Sequence, residues 1–283
     1  MISGGWPKGG LLRRLNNLFA VVAAALLFVG EAGTAPGPNR EYQAELPDQT
    51  SLVQRALADL QPSTQGTRSL YFVGFAGYGF EAVFKREVLA VRKLFDERFG
   101  TAGRSMILIN HPSTVGEIPL ATRDNLEQVL QGMDRIMDRK DDTLFLFLTS
   151  HGERSLLAVE MPHVGLEHLT PQMLKAMLGR TGIRNRVIVV SACYSGSFIP
   201  ALADARTLVI AAARSDRTSF GCNDKREWTY FGEAYFNQAL RHEKSFKRAF
   251  EHATKLISGW ETKEKLTPSL PQMKGGEALQ LND

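Results

Sequence analysis

Short apolar runs alternate along the middle of the chain with longer amphipathic stretches. The runs Ser69 to Phe75, Met106 to Ile109, Thr143 to Thr149, Val187 to Ala192 and Leu208 to Ala213 carry almost no charge, and polar or turn-forming residues bound each one. A strand with one wet face alternates apolar and polar side chains, so runs this uniformly apolar predict parallel strands buried on both faces. Helical periodicity falls at Glu81 to Phe99, Thr122 to Met137, Pro171 to Leu178, Thr229 to Leu240 and Phe246 to Ile257. Thr170 before Pro171 predicts a helix start, with a hydroxyl cap and proline at the first helical position, and Ser245 is a second expected cap. This alternation predicts an α/β sandwich with helices on both faces of a parallel sheet. In such sheets reactive groups gather beyond the carboxyl ends of the strands.

The flanks differ from this body, which is expected over 66–260. Residues 36–65 are rich in Pro, Gln, Asp and Ser, with one modest amphipathic stretch at Ser51 to Leu60, and read as a linker or surface arm. Residues 261–283 contain Pro268, Pro271 and Gly275-Gly276 with little apolar periodicity, and read as a flexible tail. In residues 1–35, Lys8, Arg13 and Arg14 precede an apolar run from Leu18 to Val29 and then small residues up to Ala35. That order is the secretory signal pattern, with cleavage expected after Ala32 or Ala35. The apolar run is shorter than the roughly 20 residues that span a bilayer. The expectation is an exported protein, periplasmic or secreted, with no membrane contact beyond the transient signal.

Of 283 residues, 43% are hydrophobic and 23% charged, which excludes a wholly disordered or fibrous chain. The net charge of +4 arises from 34 basic and 30 acidic residues interspersed along the chain. No basic stripe or reader motif accompanies it, so it reads as solubility and no nucleic-acid partner is expected.

Two strand ends carry chemistry. TLFLFLTSHGE leaves one apolar run at His151-Gly152, and RVIVVSACYSGS leaves another at Cys193. If those strands are neighbours, an imidazole and a thiol project at one rim, the pairing that activates a nucleophilic cysteine. A free thiol, with a pKa of roughly 8.5, is only a few per cent thiolate at neutral pH and needs such a base. Glycine at 152 permits close backbone approach, so the amides of Gly152 and Cys193 are candidate oxyanion donors. The bland alternative makes Cys193 a small buried hydrophobe and His151-Gly152 an ordinary loop. His111, His163, His168, His242 and His252 lack such a setting, and no pair has metal-ligand spacing with further Cys or carboxylates, so no metal site is expected. Position 193 is cysteine and lacks the first glycine of a Gly-x-Ser-x-Gly elbow, which argues against a serine hydrolase. A Cys193–Cys222 disulfide would have to be absent or inhibitory if Cys193 is the nucleophile.

Ser150-His151-Gly152 and Ala192-Cys193-Tyr194-Ser195-Gly196-Ser197 resemble the catalytic His and Cys motifs of caspase-like cysteine peptidases. Ser219-Phe220-Gly221-Cys222 and Thr229-Tyr230-Phe231-Gly232-Glu233 are similar to the segment downstream of the nucleophile in legumains. The resemblance is to the legumain-like family, of asparaginyl endopeptidase and GPI-transamidase type, over roughly Leu70 to Leu240. It implies a caspase-like three-layer α/β sandwich with a mostly parallel central sheet, a Cys193 thioester acyl-enzyme with His151 as general acid/base, and no cofactor. The implied activity is that of an endopeptidase on a peptide or protein substrate. Alternatives are a transpeptidase or transamidase using the same acyl-enzyme, or an inactive binding module, against which retention of both His151 and Cys193 argues. The resemblance places Ser191, Ser219 and Glu233 at the substrate-binding pocket and makes Cys222 a packed thiol. It also shows departures: Ala76 stands where legumains have an asparagine, Ala82 and Val83 replace a basic pair, and Ser191 replaces a glutamate. An asparagine preference is therefore not implied, and Glu233 without its neighbouring arginine would suit a basic side chain.

Overall fold

Six of the apolar and edge segments form one sheet in the computed structural model, which describes residues 46–279. The expected signal segment and the start of the arm lie outside the described residues. In chain order the elements are α1 (Gln49–Ala58), β1 (Leu70–Ala76), α2 (Ala82–Arg98), β2 (Ser105–Ile109), α3 (Arg123–Ile136) and β3 (Thr143–Thr149). A small hairpin follows, β4 (Gly152–Glu153) with β5 (Leu156–Leu157), then α4 (Pro171–Gly179), β6 (Asn185–Ser191), α5 (Ile199–Leu202) and β7 (Thr207–Ala211). Helix α6 begins at Tyr230–Gly232, runs as a π-helix over Glu233–Ala239 and closes at Leu240–His242. It is followed by α7 (Phe246–Lys263) and β8 (Gln272–Lys274). The sheet order is β2-β1-β3-β6-β7-β8, parallel throughout except for the antiparallel β7–β8 edge.

All five predicted strands are present, and the reason is visible in β3. Leu144, Leu146 and Leu148 join one core cluster, while Phe145 and Phe147 join the other. Because successive side chains point to opposite faces, a strand covered on both sides has no position for a polar residue. On the leucine face lie α1, α3, α4 and α5; on the phenylalanine face lie α2, α6 and α7. The second layer is aromatic, with Phe95 and Phe145 ring centres 4.4 Å apart and Phe145 and Phe246 at 5.0 Å. The result is the expected three-layer sandwich with a mostly parallel central sheet.

The caps divide. Thr170 accepts from the amide of Met173, as expected, whereas Ser245 stands at the start of α7 without a side-chain cap bond. In α6 the expected plain helix carries the π segment, and Glu233 accepts from Asn237 at i+4 and from Gln238 at i+5, the latter being the π spacing.

Both flanking assignments require correction where the structure describes them. Within the supposed linker, α1 is capped by Asp48 and buries Val53 completely. Its Gln49 side chain accepts from the amide of Leu120 and from Asn125 Nδ2. In the supposed tail, β8 adds an edge strand to the sheet, and the buried Glu261 carboxylate accepts from the Ser269 amide at 2.9 Å. A three-residue edge strand between Pro271 and two glycines at positive φ has no room for an apolar period, so its sequence reads as loop.

Replacing Val53 with Ala is expected to lower unfolding free energy by about 2 kcal/mol, measured by urea denaturation. An unchanged midpoint would restore the linker reading of 46–60.

Candidate active site

Strands β3 and β6 pair in parallel over seven rungs, the last being Thr149↔Ser191. His151 and Cys193 each lie two residues beyond that shared rung. The amide of Ser150 donates to Ser191 O at 3.2 Å and carries the pairing one step past the sheet. The β4–β5 hairpin then folds back, with Ala158 N donating to His151 O at 3.0 Å. At Gly152 a Cβ would come 2.5 Å from the Cys193 carbonyl oxygen and 3.0 Å from Ala192 Cβ. Only glycine lets the two strand ends lie this close.

Beyond Cys193 the backbone turns abruptly. Tyr194 has φ 57°, in the left-handed region that side-chain-bearing residues rarely occupy, and its amide donates to Arg217 O at 2.7 Å. Such strain persists only where surrounding contacts impose it, and it leaves Cys193 at the apex of the turn. The turn is backed by Ser195, whose Oγ accepts from Ala213 N at 3.1 Å, and by Gly196, whose amide donates to Ala213 O at 2.8 Å.

The Cys193 thiol is half-buried and free. It accepts from the Ser219 amide at 3.3 Å and donates toward Ser219 O at 3.5 Å. Burial pushes its pKa up, and the Ser219 and Cys193 amides pull it partly back. Cys222, also free, packs beside the aromatic layer, and burial drives its thiol far above the ordinary range. Its behaviour is that of a packed thiol.

The His151 ring is held from three sides. Tyr78 meets it edge-on at 4.5 Å and 88°, Phe84 at 5.2 Å and 78°, and its Nε2 lies 2.7 Å from Glu81 Oε2.

Under the site lies a polar cluster that sequence reasoning missed. Glu87, on α2, is fully buried. Its carboxyl accepts from Thr149 Oγ1 at 2.6 Å, Thr229 Oγ1 at 2.7 Å and Thr229 N at 3.1 Å. Thr229 Oγ1 in turn accepts from the Gly232 amide, capping α6, and lies 3.3 Å from Ser191 Oγ. One carboxyl thus joins the ends of β3 and β6 to the start of α6. A Cβ on Gly232 would overlap Glu87 Oε1, so the same carboxyl requires glycine there. The available signal was positional: Val83, Phe84, Glu87, Val88, Val91, Leu94 and Phe95 form one buried stripe, and Glu87 is its only charge.

The remaining expected site residues separate. Ser219 touches Cys193 Sγ through its backbone, and Ser191 is buried in the Thr229 cluster beneath the site. Glu233 is held by Asn237 Nδ2 and Gln238 Nε2, both at 2.9 Å, on its own helix. Ala76, the last residue of β1, is fully buried and pairs with Thr149.

With the two motif residues at adjacent strand ends, the family can be tested against known sequences. The peptidase C13 family model matches residues 117–280, more than half of the chain and both motifs. The chain belongs to the peptidase C13 family. Among solved structures, caspase-1 from Spodoptera frugiperda is similar at 13% identity and TM-score 0.49, covering 77% of this chain and 93% of that one. No curated protein matches. The legumain-like resemblance of the sequence therefore holds at the level of the family, and with it a cysteine-peptidase type of activity. Glu81, Glu87, Tyr78 and Phe84 all precede the matched span.

Burial raises the Glu87 pKa in the fold above the value the unfolded chain would show, with its three donors only partly offsetting. Above about pH 4, where an unfolded glutamate loses its proton, the folded state therefore holds a proton that the unfolded state has released. Stability from this group is present at low pH and falls as pH rises through that window. Urea titrations of wild type and Glu87→Gln across this range should show the wild type losing ground to the variant as pH increases. A wild type that gains on the variant would contradict a raised Glu87.

Proposed function

We propose that this C13 family member is an exported cysteine endopeptidase that cleaves peptide bonds through a Cys193 thioester. The observation that carries the reading is the β3–β6 register, which releases His151 and Cys193 from one rung of the sheet. In the first half-reaction Cys193 Sγ attacks the scissile carbonyl carbon while His151 takes the thiol proton. Negative charge gathers on the carbonyl oxygen, for which the amides of Gly152 and Cys193 are the donors. Collapse breaks the C–N bond, and His151 passes its proton to the leaving amine. In the second half His151 takes a proton from water and the resulting hydroxide attacks the thioester; collapse breaks the C–S bond and releases a carboxylic acid, and His151 returns its proton to Cys193 Sγ, restoring the thiol.

A raised thiol pKa bears on the timing of the proton. Above its ordinary range the resting thiol is protonated at neutral pH, so transfer to His151 accompanies attack and no preformed thiolate is required. Export rests on the basic, apolar and small-residue order of residues 1–35. Among the described residues no helix is long and apolar enough to cross a membrane. For the residue before the scissile bond, Ser219 is the expected pocket residue nearest the thiol, whereas the Glu233 carboxylate is engaged by two amides and would have to be released to greet a cation.

Residues 36–283, with and without Cys193→Ala, should be assayed in reducing buffer on fluorogenic peptides that vary the residue before the scissile bond. Wild-type cleavage lost in the variant supports the reading; no cleavage and no labelling of Cys193 by an acyl-type probe would defeat it. Gly152→Ala should lower kcat by about 100-fold, by shifting an oxyanion donor away from its position. Iodoacetamide alkylation of Cys193 should accelerate with pH to a midpoint above that of a free thiol, about 8.5. A midpoint below that value would instead demonstrate a stabilised resting thiolate.

A further inference from the structure

We infer that Glu81 is the positioning residue of the catalytic histidine, a role that rests on the peptidase reading of His151. Glu81 stands at the N-cap position of α2, where a Ser, Thr, Asp or Asn side chain commonly accepts from the first amides. Its carboxylate makes no cap bond and reaches instead to His151 Nε2 at 2.7 Å. The vacated cap is filled from far along the chain. Asp224 Oδ1 accepts from the Ala82 amide at 2.6 Å.

The segment that supplies Asp224 is firmly held against α2. Arg86 donates to Asp224 O at 3.1 Å and to Arg226 O at 2.6 Å, and its Nε lies 3.4 Å from the Glu227 carboxylate. This is also the loop whose Ser219 amide supports Cys193 Sγ. One loop therefore steadies the nucleophile directly and releases Glu81 to steady its partner.

The consequence for the ring is a fixed tautomer. With Nε2–H donating to Glu81, the lone pair sits on Nδ1, which becomes the nitrogen that accepts the Cys193 proton. Tyr78 and Phe84 restrict tilt, and the carboxylate restricts rotation. Glu81 gains no proton in the cycle. Its charge favours the imidazolium that forms transiently in each half-reaction, so it acts on turnover more than on substrate binding.

The test uses Glu81→Ala, Glu81→Gln and Glu81→Asp in the 36–283 protein, with kcat and KM measured on the best peptide. Nitrogen-15 spectra of the His151 ring at alkaline pH report the tautomer independently of activity. Glu81→Ala should lower kcat by about 100-fold with KM within about threefold, and shift the ring signals from a single Nε2–H form to a mixture. Glu81→Asp should recover part of both, and Glu81→Gln should keep the ring better ordered than Ala while remaining slow. Unchanged ring signals in Glu81→Ala would overturn the inference whatever happens to the rate, and so would an unchanged kcat. If the wild type cleaves nothing yet Glu81 still governs the ring signals, the positioning role stands and the peptidase reading falls.

Discussion

The pairing of β3 with β6 is the constraint on which the rest of the molecule depends. Seven parallel rungs fix their relative height, so the residues that leave their carboxyl ends emerge together. A slip of one residue would move every side chain of a strand to the opposite face, burying phenylalanines where leucines now pack. Because both faces are filled, the register is specified by the whole core and not by the site itself. The His151 and Cys193 pair inherits its placement from hydrophobic packing.

At its functional end this apolar sheet is closed by a polar cluster. Thr149 and Ser191, the final rung, face the cluster built around Glu87, with Thr229 completing it from the start of α6. Placing a carboxyl out of water is costly unless donors surround it. Here two hydroxyls and one amide do so, and the cost is set against a junction that ties two strands and two helices at one point. Gly232 is part of that junction, since any side chain there would occupy the carboxyl's place.

The site draws on two regions of different character. Cys193, its turn and the Ser219 loop fall inside the span matched by the peptidase C13 family, as does His151. What surrounds the imidazole comes from before that span: Tyr78, Glu81 and Phe84 belong to the β1–α2 connection and the first turn of α2. The two regions meet through Asp224 and Arg86, so the histidine's environment and the thiol's support are mechanically one unit.

The sequence alone determined the five buried strands and the main helices, and it singled out His151 and Cys193 as the candidate pair. Burial on both faces forces uninterrupted apolar runs, and the candidate pair stood out because each member follows the end of such a run. It did not reveal α1 or β8 as part of the body, because a short amphipathic turn and a three-residue edge strand leave little periodic signal. The tertiary structure decided everything that depends on distant chain segments meeting. Glu81 finds His151 across 70 residues, Glu87 finds Thr149 across 62, and Asp224 caps α2 across 142. In the sequence Glu81 and Glu87 are two carboxylates of one ordinary amphipathic helix. Which of them orients a ring and which joins two strand ends is set by the fold that surrounds them, since a side chain's partners at such separations leave no pattern in its neighbours.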